Sequence, residues 1–342
     1  MKRAVLFSLL SVVLAIALAF FRSPRPEESI SEPSPQPETA GALGEKEPAG
    51  ESHTLRDEDL SLRVLMDGEV REMSMGEYLP MALSGEMPAS FETEALKAQA
   101  VALRSYALYH RTSPKSSHPQ ADVCLSSACC AAGRTMEEME QSWGAMAPEY
   151  REKLLKAVEA TDGQYLSYGE EAVLAMFHSC SMGATEHSAE LLSPLPYLLS
   201  VSSPETVDDV ASLVSTVEVS AGDFRTSIAR VFPALSLEGD PGSWLGAVTP
   251  SAGGRVGSIN IGGQEISGLA MRQMFSLRST DFQLKWTGES FLFTVSGYGH
   301  GLGMSQYGAN AMARDGQDYS GILAHYYPGT ELVVAVVRGG EA

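Results

Sequence analysis

The chain has 342 residues, 44% of them hydrophobic and 20% charged, and a net charge of −19; it can bury a substantial core in one or two domains. That acidity excludes a partner held through its phosphates, because nucleic-acid affinity comes mostly from cationic side chains neutralising the backbone. It suits a neutral or cationic partner instead. Part of the charge is local: in residues 27–60, ten Asp or Glu stand against Lys46 and Arg56, a balance of −8.

Lys2 and Arg3 precede AVLFSLLSVVLAIALAFF, an uncharged run of eighteen apolar or small residues. That is the short end of a membrane span, and the small residues around 15–19 also suit a signal cleavage site. Residues 1–22 are expected to be a membrane anchor, or a signal if cleaved. The rest would lie outside the cytoplasm, on a single-pass or secreted protein. Residues 23–59 are rich in Pro, Glu, Ser and Gly, with few side chains for a core, and are expected to form a disordered tether.

The folded part is expected over 60–335. LSLRVLMDGEVREMSM alternates around Asp67-Gly68, a hairpin pattern. EALKAQAVALRSYALYH places Leu96, Ala100, Leu103 and Ala107 at helical spacing, a buried helix. A second, amphipathic helix covers 147–161, and QYLSYGEEAVLAMFHS reads as two strands around Gly169. Strand-like and helical runs mix over 214–297, and two short helices broken by Gly316 follow. The fold class is α+β: mixed helices and sheets in one elongated globular domain with a substrate groove.

Four segments carry chemistry. Glu86 sits between Gly85 and the Met87-Pro88 pair, on a hinge just ahead of the long helix. Pro88 forces Met87 to be extended. A carboxylate near a helix amino terminus is stabilised as the anion, so a general acid there needs apolar burial, which Met87 and Phe91 could supply. SHPQADVCLSSACC gathers His118, Cys124, Cys129 and Cys130, a donor set for tetrahedral Zn²⁺ in a structural role; disulfide pairing is the alternative outside the cytoplasm. FHSCSMGATEHS brings His178, Ser179 and Ser181 to a strand end, either as caps or as a Ser-His nucleophile, though without a G-x-S-x-G elbow. GYGHGLGMSQYGA sets glycines at alternate positions among His300, Ser305, Gln306 and Tyr307. Such glycines admit either another backbone in a tight core or an extended ligand in a groove.

Taken together, GEMPASFETEALKAQAVALRSYAL, FHSCSMGATE and GYGHGLGMSQYGANAMARDGQDYSGILAHYYPGT resemble, in order, the motifs of the stage II sporulation protein D family, over residues 60–330. The resemblance implies a lytic transglycosylase that cleaves the β-1,4 bond between N-acetylmuramic acid and N-acetylglucosamine in peptidoglycan strands stripped of stem peptides, during engulfment. It implies two partners, the amidase stage II sporulation protein P and the membrane protein stage II sporulation protein M. Glu86 matches the family's catalytic acid. Lys97, Gln99, Arg104, His178, Ser179, His300, Ser305, Gln306 and Tyr307 would line the glycan groove. Some members bind zinc beside the acid, which strengthens the metal reading of His118, Cys124, Cys129 and Cys130, although Cys129 stands where those members carry His. Cys180 and Met182 also depart from the family's usual Thr and Gly. The same domain resembles amidase-enhancer proteins, so a non-catalytic, glycan-binding enhancer is the rival expectation.

Overall fold

The structure is a computed structural model that describes residues 53–210 and 213–337. The expected anchor, 1–22, lies outside the described residues, as does the expected tether up to residue 52. Residues 53–59, read as the end of that tether, belong to the fold. Asp57 is buried there, and its carboxylate takes both guanidinium arms of Arg104 at 2.6 Å.

The chain then forms an antiparallel hairpin of β1 (Ser61–Met66) and β2 (Glu69–Ser74). Asp67 and Gly68 both take positive φ at its tip, 51° and 84°, as a two-residue primed turn requires. Helix α1 (Met75–Glu86) follows at once, its start fixed by a reciprocal capping box between Ser74 and Glu77. After Met87 and Pro88, helix α2 (Thr93–Thr112) runs through the middle of the first core. Ala95, Ala98, Val101, Ala102 and Leu103 are all fully enclosed. The small side chains let neighbouring elements approach α2 closely on several faces.

Strand β3 (Val123–Cys124) adds to β1 in parallel. Helices α3 (Met136–Trp143) and α4 (Ala147–Glu159) then cover one flank. Strand β4 (Gln164–Tyr168) turns at Gly169 into β5 (Glu171–Ala172), as expected. The short β6 (Phe177–His178) leads into the second Ser/His-bearing segment.

A second core follows. Strands β7 (Val214–Ser220), β8 (Leu245–Pro250), β9 (Val256–Ile261), β10 (Gln264–Ser267), β11 (Phe282–Trp286) and β12 (Ser290–Ser296) form two three-stranded antiparallel sheets, ordered β7-β12-β11 and β8-β9-β10. Helices α5 (Ala221–Val231) and α6 (Gly268–Phe275) pack with them. Phe224 stacks on Phe291 and Phe275 with ring centroids 4.1 and 5.0 Å apart. The chain returns to the first core through β13 (Met304–Ser305), which pairs in parallel with β6. Helices α7 (Gln306–Arg314) and α8 (Tyr319–Tyr326) and strand β14 (Glu331–Val334), antiparallel to β4, complete it. The α+β expectation holds.

The membrane expectation is corrected: among the described residues, no helix is long and apolar enough to cross a membrane. Helix α2 has the length for a span, but it carries Glu94, Lys97, Arg104 and Arg111, charges that a hydrocarbon core resists.

Arg104 also departs from its expected place on a groove. Its side chain is fully buried, with a third bond to the Gln164 carbonyl at 2.7 Å, so it ties residues 53–59 and β4 to α2. Gln99 is fully buried on the same helix. Removing one partner of a buried ion pair strands the other. Arg104→Ala is therefore expected to cost about 3–5 kcal/mol, read as a lower denaturant midpoint; a loss under about 1 kcal/mol, the scale of a surface pair, would contradict it.

Candidate functional site

Glu86 is the last residue of α1, not a residue leading into α2. The expected anion-stabilising helix start is therefore corrected, since the carboxyl stands at the end of a helix where the backbone dipole disfavours negative charge. Met87, at φ −124° and ψ 134°, is extended as Pro88 requires. Burial pushes the Glu86 pKa above the ordinary carboxylate range, and two hydrogen bonds partly oppose it. One comes from the Ala132 N–H to Oε1, the other from the Gln306 amide to Oε2 at 3.3 Å.

Those two donors arrive from distant parts of the chain. Ala132 belongs to the loop after the cysteine cluster, and that loop lies directly on the last turn of α1. A Cβ at Gly85 would sit 2.5 Å from the Ala132 carbonyl oxygen, so glycine is needed there. Gln306 opens α7, which is docked beside Glu86 by its next residues. Tyr307 meets the Phe91 ring edge-on, centroids 4.8 Å apart, and the Asn310 side chain accepts the Glu92 N–H at 2.7 Å.

The ligating atoms of His118, Cys124, Cys129 and Cys130 all lie within 4.8 Å of one another, and the four cysteines of the chain are free. His118 Nδ1 is 3.1 Å from the Ala121 carbonyl, which can only accept; the proton is therefore on Nδ1. Nε2 is left as a lone pair facing Cys130 Sγ at 3.3 Å, the usual arrangement of a ligating imidazole. A hydrogen bond from Cys124 draws Cys130 toward the thiolate, with Lys115 and His118 adding to it against burial. The bond to that thiolate and burial push Cys124 up. Three sulfurs and one imidazole at this spacing could hold a tetrahedral metal, whose ligand–ligand edges are about 3.8 Å. An open cleft of about 460 Å³ borders the cluster and is lined by His118, Cys124, Cys129 and Arg134, among others.

Other expected site residues are engaged in contacts of their own. The glycines of the 297–303 loop serve close packing within the protein, Gly297 and Gly303 against backbone and Gly299 and Gly301 against the His178 and Arg255 side chains. A Cβ at Gly303 would lie 1.9 Å from the Met176 carbonyl oxygen, and one at Gly299 2.7 Å from His178 Cβ. His178 and Ser181 do form a pair, Nε2 to Oγ at 2.6 Å, and His178 Nδ1 donates to the Leu302 carbonyl at 3.2 Å. Both side chains are buried, however, and Arg255 also donates to Ser181 Oγ at 2.9 Å. Burial and the Arg255 charge hold His178 well below the ordinary imidazole range. An enclosed serine of this kind has no access to a substrate, so the pair fastens the fold.

His300 is partly buried and held at about 4 by burial and by Arg272 and Arg255; it accepts the Leu302 N–H on Nδ1. Ser305 is fully buried as the N-cap of α7. The Ser179 carbonyl accepts the Tyr307 N–H at 3.0 Å. Lys97 is turned to Glu94 at 2.6 Å and lies over the Tyr319 ring. The structure thus gathers Glu86, Gln306 and Tyr307. Sequence reasoning missed the Ala132 N–H, a backbone group without a residue signature, and Asn310, Glu205 and Arg255, whose partners are far along the chain.

A family model described as "Stage II sporulation protein" matches residues 67–168, which hold both Glu86 and the cysteine cluster. The chain is 31% identical over 296 residues to stage II sporulation protein D of Bacillus subtilis (strain 168), covering 85% of this chain and 84% of that protein. It is 32% identical over 292 residues to stage II sporulation protein D of Bacillus amyloliquefaciens, covering 84% and 83%. It is 27% identical over 309 residues to the amidase enhancer of Bacillus subtilis (strain 168), covering 73% of this chain and 39% of that protein.

Two outcomes are expected from this geometry. Gly85→Ala forces the loop at Ala132 outward and costs about 1–3 kcal/mol; the same displacement removes an N–H from Glu86 and raises its pKa, read by carboxyl NMR titration. Because the Glu86 pKa is raised in the folded chain, the fold binds its proton more tightly than the unfolded chain does. Stability therefore falls as pH climbs from the ordinary carboxylate range through the raised value. Glu86→Gln removes that loss, and thermal melts at neutral pH should place the variant above the wild type.

Proposed function

The chain belongs to the stage II sporulation protein D family, and we propose that it is a peptidoglycan lytic transglycosylase acting in engulfment. It cleaves the β-1,4 bond between N-acetylmuramic acid and N-acetylglucosamine in strands stripped of stem peptides, leaving 1,6-anhydro-muramic ends. The observation that carries this reading is Glu86: a carboxyl raised by burial whose hydrogen-bond partners among the described residues are the Ala132 N–H and the Gln306 amide.

A hydrolytic glycosidase ordinarily needs two carboxyl groups, one to protonate the leaving oxygen and one to activate water or attack. The lytic route needs one. Protonated Glu86 gives its proton to the glycosidic oxygen as the bond from the muramic C1 breaks. The C6 hydroxyl of the same sugar forms the new bond to C1 and returns its proton to Glu86. No water is consumed. The Ala132 N–H and Gln306 amide fit the second half of this cycle, since they steady the carboxylate while it waits for that proton.

The side chains of His118, Cys124, Cys129 and Cys130 would hold Zn²⁺ in a structural role, with all four positions taken by protein ligands. The ion would fix the loop that carries the Ala132 N–H. The partners of this reading are the amidase stage II sporulation protein P, which supplies stripped strands, and stage II sporulation protein M. The likeness to an amidase enhancer favours a second reading, in which the chain binds glycan and only stimulates an amidase.

The deciding experiment incubates the full-length chain and Glu86→Gln with stripped glycan strands and reads products by mass spectrometry. Anhydro-muramic ends from the wild type are expected, with a loss on the order of 10²–10⁴-fold in the variant. Reducing ends would mean hydrolysis. No cleavage by either, with glycan bound and an amidase stimulated, would establish the enhancer. Elemental analysis of chain purified without chelator should find zinc in equimolar amount, and Cys124→Ser should lose it and melt lower.

A further inference from the structure

Glu205 is an acid 3% exposed that the proposed chemistry does not use. Its Oε1 accepts the Ser181 N–H at 2.6 Å and the Ser305 hydroxyl at 2.5 Å. Its Oε2 accepts the Ser203 hydroxyl at 2.6 Å, and Ser203 in turn meets the Tyr326 hydroxyl at 2.9 Å. A buried carboxylate satisfied by one N–H and two hydroxyls has a fixed place, because each lost bond leaves a desolvated charge.

That place is the start of α7. Ser305 caps the helix, taking the Gly308 N–H on the oxygen whose proton goes to Glu205. A Cβ at Gly308 would lie 2.7 Å from Glu205 Oε2 and 2.1 Å from the Tyr326 hydroxyl oxygen, so the carboxylate sits directly under the first turn. A negative charge there also suits the helix dipole. The next residue is Gln306, whose amide reaches Glu86.

We propose that Glu205 is a positioning residue for Glu86: through the Ser305 cap it sets where α7 begins, and so holds the Gln306 amide on the acid. The proposal rests on the reading of Glu86 as the reacting acid, and its test does not depend on cleavage. Around Glu86 the facing groups are the Ala132 N–H, the Gln306 amide and, at longer range, the Tyr78 hydroxyl; of these, Gln306 alone comes from α7.

The test follows the Glu86 carboxyl by ¹³C NMR in full-length chain labelled at glutamate, the resonance assigned by its loss in Glu86→Gln. Gln306→Ala should move the Glu86 titration midpoint upward, because a hydrogen bond to the carboxylate is lost. Glu205→Ala should move it upward by the same amount, and the double variant no further. Ser105→Ala, which loses a buried hydroxyl bonded to the Val101 carbonyl and the Leu166 N–H, should melt lower yet keep the wild-type midpoint. A folded Glu205→Ala with the wild-type midpoint would overturn the proposal. So would a further shift in the double variant, or a shift in Ser105→Ala. If Glu205→Ala does not fold, Ser305→Ala cuts the same link, and an unmoved midpoint there is equally decisive. A chain that forms no anhydro-muramic ends would sink the lytic reading while leaving this titration to be read on its own terms.

Discussion

A carboxyl that is to give up a proton at neutral pH must be taken out of water, and one that is to accept it back must not be left without donors. On the proposed reading of Glu86, the arrangement around it answers that pair of demands. Burial raises the pKa, while the Ala132 N–H and the Gln306 amide limit the rise. Neither donor is a neighbour in sequence: one comes from a loop 46 residues away, the other from a helix 220 residues away. The acid is therefore formed only when nearly the entire described chain has closed around it.

The supporting structure divides that work. On one side the His/Cys cluster and the close contact at Gly85 bring the Ala132 loop onto α1. On the other, β6 and β13 run side by side and the 297–303 glycines admit them against one another. The buried groups there, His178, Ser181, Arg255 and Glu205, lock one segment to the next. Their value is geometric: the directed bonds among them fix one packing more sharply than apolar contacts do.

Local patterns were legible wherever the determining forces were local. The Asp67-Gly68 hairpin, the helix over α2, the amphipathic α4 and the turn at Gly169 all follow from periodicity and turn chemistry. Helix α1 was not legible, because Pro80 and Gly85 interrupt its pattern and its stability comes from the Ser74–Glu77 cap and from burial. That omission is why Glu86 read as the start of one helix when it is the end of another. The family resemblance singled out Glu86, but it also gathered Arg104, Gln99 and Ser305 toward a groove. Polar side chains look alike in a sequence whether they face solvent or an ion-pair partner such as Asp57, 47 residues away. Glu205 stands in an unremarkable SPETVD stretch, and nothing short of the fold could reveal its three partners.

The second core has a further consequence, for the order in which the chain can assemble. Its first and last strands are partners, Val214 opposite Ser296, and the Gly297 N–H returns to the Leu213 carbonyl at 2.8 Å. The aromatic module is thus a closed loop whose two ends meet. Once it has formed, the path from β6 to β13 shortens from about 126 residues to about 42, which lowers the entropic cost of bringing them together by about 1 kcal/mol. Late pairing of distant strands is where slow folding and misassembly concentrate. A module that ties off its own ends turns this long closure into a short one, and brings α7 back to the first core along a shorter path.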